Sequence, residues 1–395
     1  MKYCVLIMDG AAGYPLADKG HKTTLELAQT PNLDRLAQEG SLGLTLNVPE
    51  GMEPSSAVAC MSLMGYDPKK YYSGRAPIEA RSMDIPLNDN DAVFRCNLVT
   101  LKDGVMKSYC SGHITDAESH EIIATLNEKI GSDRVKFYPG VSYRHLVVVK
   151  DGLEFLKAEC TPPHDISDKF VAEYRPKGPG ALFLSNLMAK SEELLRVHPV
   201  NKRRISEGKL PATSIWLFWG GKRTANLPLF SDTYRKQAAM TSGVDLLRGI
   251  SAMAGIDVLN IPGVTGGLDT DYTAQVDGAL AALEKYDVVI VHVESPDEAG
   301  HMGSYDEKIK AIEMIDSLMV GKMAACSDHA LRLLILPDHP TPIPVKTHTP
   351  GPVPFILWGP GIENNSGQAY SEKEAAATGF FINQGHSLMS KLLYS

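Results

Sequence analysis

Aspartate and histidine side chains follow three separate apolar runs in this sequence, and together these residue types bind divalent metal ions. The runs, at residues 4–8, 288–291 and 333–336, lead to the following residues: Asp9, Asp297, His301, Asp338 and His339. Such runs are typical of buried strands, and the carboxyl ends of parallel strands in an open α/β sheet meet at one crevice. Because His348 follows soon afterwards, the pattern predicts a binuclear metal centre.

The types of ligand narrow the class of ion. Structural zinc sites usually rely on thiolates, and no Cys-x-x-Cys pair occurs here. Carboxylate oxygen and imidazole nitrogen together suit zinc, manganese or a similar divalent ion. Asp297 and His301 are four residues apart, so in a helix both would reach one ion. Taken singly, each such residue is more often a helix cap, a turn residue or a hydrogen-bonded core residue, and only the combination indicates a metal centre.

The composition limits the classes of protein and of partner. The chain has 395 residues, of which 44% are hydrophobic, so it has enough apolar surface for two domains or for one domain with a large insertion. Its net charge of -8, with both signs mixed along the chain, provides no extended basic surface. Nucleic acid and anionic membranes are therefore poor partners, whereas small anionic substrates suit local arginine clusters.

Targeting signals and cysteine usage indicate the compartment. The first apolar run is too short for the core of a signal peptide, and no stretch approaches the length of a membrane span. The six cysteines are scattered without a framework, which favours reduced thiols over disulfides. We therefore predict a cytoplasmic protein.

The order of strand and helix patterns predicts a discontinuous α/β core. The first strand pattern is followed by a loop and by a capped helix pattern that ends at Gly40. Beyond residue 74, short β-like runs and turn-rich segments replace this alternation of strand and helix, which resumes at residues 215–219. We predict a mainly parallel sheet flanked by helices, formed by residues 1–74 and 211–395. A smaller α+β domain is expected as an insertion at residues 75–210.

Ser56 is the best candidate for a nucleophile, because clustered metal ions most often activate an attacking oxygen next to a phosphoryl group. The segment Pro54-Ser55-Ser56 reads as the beginning of a helix. Exposed backbone amides at a helix N-terminus favour an alkoxide or a phosphoserine. Without the metal candidates, Ser55 and Ser56 would be interpreted as ordinary helix caps.

Several longer motifs resemble one family over nearly the whole chain. They are Met8-Asp9-Gly10, residues 30–40, Gly65-Tyr66-Asp67-Pro68, residues 72–75, Phe94-Arg95-Cys96-Asn97, Tyr143-Arg144-His145, Pro163-His164-Asp165-Ile166, residues 262–266, residues 296–301, Asp338-His339-Pro340 and residues 347–351. As a set they resemble the archaeal-type cofactor-independent phosphoglycerate mutases, which belong to the alkaline phosphatase superfamily. The resemblance implies an alkaline-phosphatase-like core.

The resemblance also implies the ligands and the reaction. Two divalent ions (Mn²⁺, Zn²⁺ or Mg²⁺) would be bound, one by Asp297, His301 and His348, the other by Asp9, Ser56, Asp338 and His339. Ser56 would take the phosphoryl group from a phosphoglycerate and return it to the neighbouring hydroxyl, without a bisphosphoglycerate cofactor. The inserted domain would bind the substrate and close over its carboxylate.

Guanidinium groups match carboxylates and phosphates in bidentate fashion, so arginines lead the candidates for contact with the substrate. Together with polar residues of the motifs above, the candidates are Arg75, Arg95, Asn97, His113, Arg144, His145, His164, Asp165, Arg204 and Lys236. We rank Arg95 and Arg144 first, because each lies in a motif of the family. Any of the histidines also fits a structural, hydrogen-bonding role.

The nucleophile segment departs from the family pattern. That pattern reads Gly-Ser-Asp-x-Ala-Asn, whereas this chain has Ser55-Ser56-Ala57-Val58-Ala59-Cys60. A carboxylate and an amide close to the phosphoryl group are therefore missing. The identity of the acceptor is consequently less determined than the class of reaction.

Three alternatives stay open at this point. A bacterial branch of the same family has been proposed to act as homoserine kinase, but the chain has no Gly-x-x-x-x-Gly-Lys-Ser/Thr loop for a nucleotide. A metal-dependent phosphohydrolase would release phosphate without isomerisation. A non-catalytic binding protein is expected to lack some of the ligands, whereas all seven are present.

Overall fold

The computed structural model describes residues 1–223, 227–326, 330–365 and 367–395. The strands in the described part of the chain are β1 (Lys2–Met8), β2 (Ser41–Thr45), β3 (Ala92–Lys102), β4 (Val105–Ser108), β5 (Val135–Tyr138), β6 (Arg144–Val149), β7 (Ser214–Lys222), β8 (Ala238–Thr241), β9 (Asp257–Val258), β10 (Val288–Val293), β11 (Leu331–Leu336), β12 (Val353–Trp358) and β13 (Phe381–Ile382).

The α-helices of the same residues are α1 (Thr24–Leu27), α2 (Pro31–Glu39), α3 (Ser56–Leu63), α4 (Pro68–Tyr71), α5 (Arg75–Ser82), α6 (Asp116–Lys129), α7 (Ala181–Leu195), α8 (Pro199–Ser206), α9 (Phe230–Tyr234), α10 (Asp245–Met253), α11 (Tyr272–Ala282), α12 (Ser295–Met302), α13 (Tyr305–Ile315), α14 (Gly321–Ala324), α15 (Glu372–Ala377) and α16 (Leu388–Tyr394). A π-helical turn, Asp316–Val320, joins α13 to α14.

The chain forms two compact units. Unit 1 comprises Met1–Tyr72 and Asn226–Ser395, and unit 2 comprises Ser73–Ala225. Each unit has its own sheet and its own apolar core.

Unit 1 is built on an eight-stranded sheet in the order β13-β2-β12-β11-β1-β10-β8-β9. Only β12 runs against its neighbours within the described residues, so the sheet is mainly parallel. The central strands β1, β10 and β11 are buried almost throughout, as expected when helices cover both faces of a parallel sheet. The predicted α/β class, with a mainly parallel sheet flanked by helices, is confirmed.

The core of unit 1 follows from the alternation of side chains along the strands. Cys4, Leu6 and Met8 of β1 point to one face and pack with apolar side chains of α2, α11 and α13. Helix α2 begins at Pro31, as the sequence predicts, and its first amides are capped by the carboxylate of Asp316, which accepts from Leu33 N at 2.7 Å. The π-helical turn therefore fixes the start of α2.

Unit 2 is an antiparallel sheet packed against helices. Strand β3 is central and pairs with β6 and β7, while β5 extends the sheet beyond β6 and β4 pairs with the end of β3. Phe94, Cys96 and Leu98 face the apolar core, to which α6 and α7 contribute. The opposite face of β3 carries Arg95 and Asn97.

The predicted boundary at residue 211 is wrong. Residues 214–222 form β7, which pairs with β3 along most of its length and therefore lies in unit 2. The apolar run at residues 215–219 resembles a core strand, and sequence alone does not specify which sheet such a strand joins.

Within the described residues, no helix combines the length and the apolar character that a membrane crossing requires. All six cysteines are unpaired. The cytoplasmic location remains a prediction.

Arg204 is a structural residue of unit 2, which corrects its assignment as a substrate contact. Its guanidinium donates to Glu118 Oε2 at 2.6 Å, to Ser111 O at 2.7 Å and to Leu210 O at 2.8 Å. Its side chain is only 2% exposed. All these hydrogen bonds of the Arg204 guanidinium hold α8 to α6 and to the neighbouring loops.

Replacing Arg204 by Met is expected to lower the free energy of unfolding by about 3–5 kcal/mol, because the buried guanidinium is lost and the half-buried Glu118 carboxylate and two carbonyls lose their partner. Urea unfolding followed by tryptophan fluorescence measures this change. The matched control is Arg203→Met, since Arg203 pairs with Glu121 on the surface and should cost under about 1 kcal/mol. Equal effects of the two substitutions would contradict the structural role.

Candidate metal centre

The carboxyl ends of β1, β10 and β11 lie side by side and carry the acidic residues. Met8 pairs with Val293, and Ile7 pairs with Leu336, so the residues that follow these three strands come together. Asp9 N donates to Val293 O at 3.0 Å, which extends the β1–β10 ladder by one step. The site therefore lies where the sequence predicts it, at the carboxyl edge of the sheet.

Asp297, His301 and His348 form the first ligand group. Asp297 and His301 lie one turn apart on α12, and their Oδ2 and Nε2 atoms are 3.0 Å apart. The Nε2 atoms of His301 and His348 are also 3.0 Å apart, and His348 Nε2 is 3.5 Å from Asp297 Oδ1. Backbone carbonyl Lys346 O lies 3.0 Å from His301 Nδ1 and accepts from that nitrogen, which would leave Nε2 to bind an ion in place of its proton.

Asp9, Asp338 and His339 form the second ligand group, and Ser56 adjoins it. His339 Nε2 is 3.3 Å from Asp338 Oδ2, 3.6 Å from Asp9 Oδ1 and 3.2 Å from Ser56 Oγ. Ser56 is the first residue of α3, whose cap is the Ser55 hydroxyl accepting from Val58 N. The prediction that a helix begins at these serines is confirmed.

The two groups are adjacent. The rings of His339 and His348 are 4.1 Å apart between centroids. Thr341 Oγ1 donates to Asp297 Oδ1 at 2.5 Å and lies 3.3 Å from His339 Nδ1, so one hydroxyl connects a carboxylate of the first group to a histidine of the second. All seven residues predicted as metal ligands therefore come together in unit 1, although their role as ligands stays a prediction.

Gly10 is required by the close packing of this edge. It has a φ of +60°, and a Cβ there would collide with Asp297 and Thr341. Its amide donates to Asp338 Oδ1 at 3.0 Å, and the amide of His339 donates to the same oxygen at 2.7 Å. The Asp338 carboxylate is thereby held with its other oxygen, Oδ2, turned towards His339.

A buried lysine behind the site ties two of the loops together. Lys308 on α13 is fully buried, and its Nζ donates to Ala12 O at 3.1 Å and to Thr341 O at 2.7 Å. These carbonyls belong to the loops that follow Asp9 and His339. Burial lowers the pKa of Lys308 to about 8.

The electrostatics of the site match those of a cation-binding centre. Burial, reinforced by the carboxylates of Asp338 and Asp297, raises the pKa of Asp9 well above its ordinary value. Burial lowers the pKa of His339 to about 4, which keeps its imidazole neutral. Although burial opposes the change, hydrogen bonds from His301 and His348 hold the pKa of Asp297 well below its usual range.

Two observations indicate that these residues suit divalent metal ions: the chemistry of the donor atoms and a buried carboxylate oxygen without a partner. Asp9 Oδ1 is buried and has no hydrogen-bond partner. A buried carboxylate oxygen without a partner is costly unless a cation faces it. Carboxylate and neutral imidazole donors are those that Zn²⁺ and Mn²⁺ accept.

Sequence reasoning missed His292 and Glu294, which form a third group with Asp9. His292 Nε2 is 2.7 Å from Asp9 Oδ2 and 3.7 Å from Glu294 Oε2. Burial, and next the carboxylate of Asp9, raise the pKa of Glu294 well above its ordinary value. The sequence offered one signal for this group, which is the presence of His292 inside the apolar strand β10.

Three predicted substrate residues in unit 2 lie with Trp219 on one polar surface, which we call the arginine face and define by Arg75, Arg95, Arg144 and Trp219. Arg95 Nε is 3.1 Å from Glu79 Oε2, and Arg75 Nε is 3.0 Å from Glu79 Oε1. Both guanidinium groups lie over the Trp219 ring, at 5.4 Å and 4.7 Å. Arg144 lies next to Asn97 by register and is exposed.

Asn97 and His164 border the arginine face. Asn97 is buried and its Oδ1 has no hydrogen-bond partner. The His164 ring is 5.3 Å from that of Trp219, and His164 Nε2 is 3.7 Å from Asp165 Oδ1. The structure therefore gathers Arg75, Arg95, Asn97, Arg144, His164 and Asp165 in unit 2, and their contact with substrate stays a prediction.

The two remaining histidines predicted to contact substrate, His145 and His113, lie in different surroundings. His145 points into the core of unit 2, where burial lowers its pKa to about 3, and its Nδ1 accepts from Gly140 N. Its place on the face opposite to Arg144 corrects its assignment as a substrate contact. His113 lies in an exposed turn with a φ of 51°.

Lys236 is the third predicted substrate contact that the structure places elsewhere. It precedes β8, and its Nζ lies 6.0 Å from the ring of Tyr3 at the start of β1. Tyr3 and Asp9 are separated by most of β1, which spans roughly 20 Å. Lys236 therefore lies at the opposite end of the sheet from the metal centre.

The fold and the site together define an α/β protein with carboxylate, imidazole and serine groups at the carboxyl edge of a mainly parallel sheet. Comparison with known proteins narrows this class. Residues 37–201 match the family described as 2,3-bisphosphoglycerate-independent phosphoglycerate mutase. A mutase of that name from Methanosarcina barkeri is 48% identical over 379 residues, 95% of each chain. A protein of Geobacter sulfurreducens with the same name, qualified as probable, is 45% identical and covers 100% of both chains.

Two solved structures agree. A protein from Pyrococcus horikoshii has a TM-score of 0.80 at 26% identity, covering 99% of this chain and 96% of its own. The cofactor-independent phosphoglycerate mutase of Thermoplasma acidophilum has a TM-score of 0.64 at 25% identity, covering 100% and 99%. This chain belongs to the family of 2,3-bisphosphoglycerate-independent phosphoglycerate mutases.

Replacing Lys308 by Met is expected to raise the dissociation constant for Mn²⁺ about 10-fold to 100-fold, because the loops that carry Asp9 and His339 lose their common donor. Titration of the metal-free protein against a chelating indicator measures the constant. Lys310→Met on the same helix is the control, since Lys310 is largely exposed and should leave it unchanged. Unaltered Mn²⁺ affinity in a folded Lys308→Met variant would refute the positioning role.

Proposed function

We propose that this protein interconverts 3-phosphoglycerate and 2-phosphoglycerate through a phosphoserine at Ser56. The observation that carries the proposal is the place of Ser56 Oγ, 3.2 Å from His339 Nε2, beside the second ligand group and at the start of α3. Membership of the mutase family supports the choice of substrate. The helix N-terminus adds a favourable environment for a negatively charged oxygen or phosphate.

The ligand groups suggest how metal ions take part. Asp297, His301 and His348 would hold one divalent ion, and the second group with Ser56 would hold another, of the Mn²⁺, Zn²⁺ or Mg²⁺ kind. When bound, such ions lower the pKa of a serine hydroxyl and offset negative charge on a phosphoryl group. No bisphosphoglycerate enters the scheme.

The reaction consists of two transfers at Ser56. In the first, Ser56 Oγ loses its proton and forms a bond to phosphorus while the bond to the 3-oxygen of the substrate breaks, and that oxygen gains a proton. Glycerate stays bound. In the second, the 2-oxygen loses its proton and attacks the phosphoserine, which breaks the bond to Ser56 Oγ and returns a proton to it.

Glycerate must be retained between the two transfers, and we assign this task to the arginine face of unit 2. A guanidinium fork pairs with a carboxylate through two parallel hydrogen bonds. Arg95 and Arg75 share Glu79 and stack on Trp219, so both are held in fixed directions, while the exposed Arg144 has no ion pair in the described part of the chain. Small phosphorylated metabolites are therefore the expected ligands.

Purified protein with Mn²⁺ and 3-phosphoglycerate should form 2-phosphoglycerate without releasing phosphate. The Ser56→Ala variant is expected to lose turnover by roughly 10⁴-fold or more, because the group that accepts the phosphoryl is gone. The control is Ser55→Ala, which removes the cap of α3 and costs about 1 kcal/mol of stability but leaves the nucleophile. Undiminished turnover by Ser56→Ala would refute the serine mechanism.

The same assay separates the alternatives. Release of phosphate without 2-phosphoglycerate would identify a phosphohydrolase, and formation of phosphohomoserine from homoserine and ATP would identify a kinase. The relatives at 45–48% identity, all named as mutases, favour isomerisation over both outcomes.

Replacing Arg144 by Lys is expected to raise KM for 3-phosphoglycerate about 10-fold, since one hydrogen bond to a charged group is worth roughly 1.5–3 kcal/mol. Steady-state kinetics of the forward reaction provides the test. Arg81→Lys serves as the control, because the Arg81 side chain is 61% exposed in the last turn of α5, where it pairs with Asp84. A KM equal to that of the unchanged protein would exclude Arg144 from the carboxylate site.

A further inference from the structure

We propose that Trp219 is a positioning residue for the substrate carboxylate, because a strained bulge in β7 holds its indole ring against two arginines of the arginine face. The proposal rests on the function proposed above and names a residue that acts through Arg75 and Arg95. The centroid of the Trp219 ring lies 4.7 Å from the Arg75 guanidinium and 5.4 Å from that of Arg95. The ring thus contacts both of the cations that share Glu79.

The backbone at Trp219 departs from the regular strand. Between two ladder pairs, Val93–Gly221 and Arg95–Phe218, β7 has two residues where β3 has one. This arrangement is a β-bulge, which turns a side chain away from its regular direction. Trp219 is the first of the two residues and has a φ of +45°, a conformation that is unfavourable for a bulky residue and that glycine adopts freely. Backbone strain of this kind is typical of functional sites.

The bulge places two successive rings on the same side of the sheet. In a regular strand, neighbouring side chains point to opposite faces. Phe218 and Trp219 are neighbours, yet their ring centroids are 4.8 Å apart, and the Arg95 guanidinium lies 5.4 Å from each of them. Without the bulge, the Trp219 side chain would point to the face opposite to Arg95. The strained backbone is therefore what brings the indole ring to the arginines.

Close packing holds the bulge in place. The two residues that follow Trp219 are glycines, and neither position has room for a side chain. A Cβ at Gly220 would collide with the ring of Phe94 on β3, and a Cβ at Gly221 would collide with Pro77 on α5. Strand β3 and helix α5 each carry one of the two arginines that contact the indole ring. The bulge is therefore packed against both of the elements whose side chains it orients.

A purely structural role is the alternative explanation for Trp219. The residue is half-buried and packs at the border of the apolar core of unit 2. Its ring nevertheless contacts three polar groups, which are Arg75, Arg95 and His164, whose ring centroid is 5.3 Å away. The attraction between a cation and an aromatic face is strongest for tryptophan. The ring therefore suits the orientation of guanidinium groups better than the filling of a core.

Binding of ligands with and without a carboxylate tests the proposal. The full chain with Ser56→Ala, which blocks turnover, is loaded with Mn²⁺ and titrated by calorimetry with 3-phosphoglycerate. A second titration uses glycerol 3-phosphate, which has a hydroxymethyl group in place of the carboxylate.

Replacing Trp219 by Leu or by Gly in this chain should raise Kd for 3-phosphoglycerate about 10-fold and leave Kd for glycerol 3-phosphate unchanged. Trp219→Phe should recover part of the loss, because it keeps an aromatic ring. Equal changes for the two ligands, or an unchanged Kd for 3-phosphoglycerate, would overturn the proposal.

Controls separate loss of positioning from loss of the fold. Glycine adopts the bulge conformation without strain, so Trp219→Gly decides the matter if circular dichroism shows that Trp219→Leu is unfolded. Trp358→Leu removes another indole, which donates to Glu39 Oε2 in unit 1, and should leave both constants unchanged. Failure of the parent chain to bind 3-phosphoglycerate would contradict the proposed function and this proposal with it. Binding by the parent without the expected effect of the Trp219 substitutions would overturn the role of Trp219 alone.

Discussion

Negative charge buried at the carboxyl edge of one sheet is the constraint on which the rest of unit 1 depends. Asp9, Asp297 and Asp338 are almost completely buried at the ends of neighbouring elements. Carboxylates this close do not all ionise unless hydrogen bonds and cations compensate them. The protein supplies part of that compensation through backbone amides, histidines and the Thr341 hydroxyl, and the remaining negative charge suits the edge to bind cations.

The surroundings of this edge serve to hold the carboxylates in position. Gly10 lets the backbone pass close to Asp297, and Lys308 fastens two ligand-bearing loops through their carbonyls. Burial disfavours the charged form of Lys308 and lowers its pKa, yet its side chain still holds the two loops together. A rigid edge of this kind limits the reorganisation needed when charge develops on a phosphoryl group.

Unit 2 carries positive charge on its arginine face. Burial lowers the pKa of Arg95 to about 10, against the opposing effect of Glu79, so this guanidinium stays charged at neutral pH. Glu79 and Trp219 fix Arg75 and Arg95, whereas Arg144 is exposed. A fixed pair of cations beside a freer one is a suitable receptor for a small carboxylate.

The segment after Ser56, which differs from the family pattern, lies in the buried helix α3. Ala57 and Cys60 replace the polar residues of the family pattern and are fully buried in α3. The Cys60 thiol lies 3.7 Å from Asp338 Oδ2, and burial raises its pKa well above the ordinary value, so it remains a neutral thiol. The Cys60 thiol is thus a weak donor to the Asp338 carboxylate. The negative charge that the acidic residue of the family pattern would add beside Ser56 is absent, because Ala57 stands at that position.

The sequence by itself determined the candidate metal ligands, the nucleophile candidate and the α/β class. Asp9, Asp297 and Asp338 could be recognised because strand periodicity and the geometry of parallel sheets are local and general rules. Only the tertiary structure decided that the strand at residues 214–222 joins unit 2, that Arg204 is a structural residue and that Lys236 lies at the far end of the sheet. It also decided that His292 and Glu294 face Asp9. These facts depend on which strands pair and on what each side chain meets across the fold, and neither is encoded in the spacing of residues along the chain.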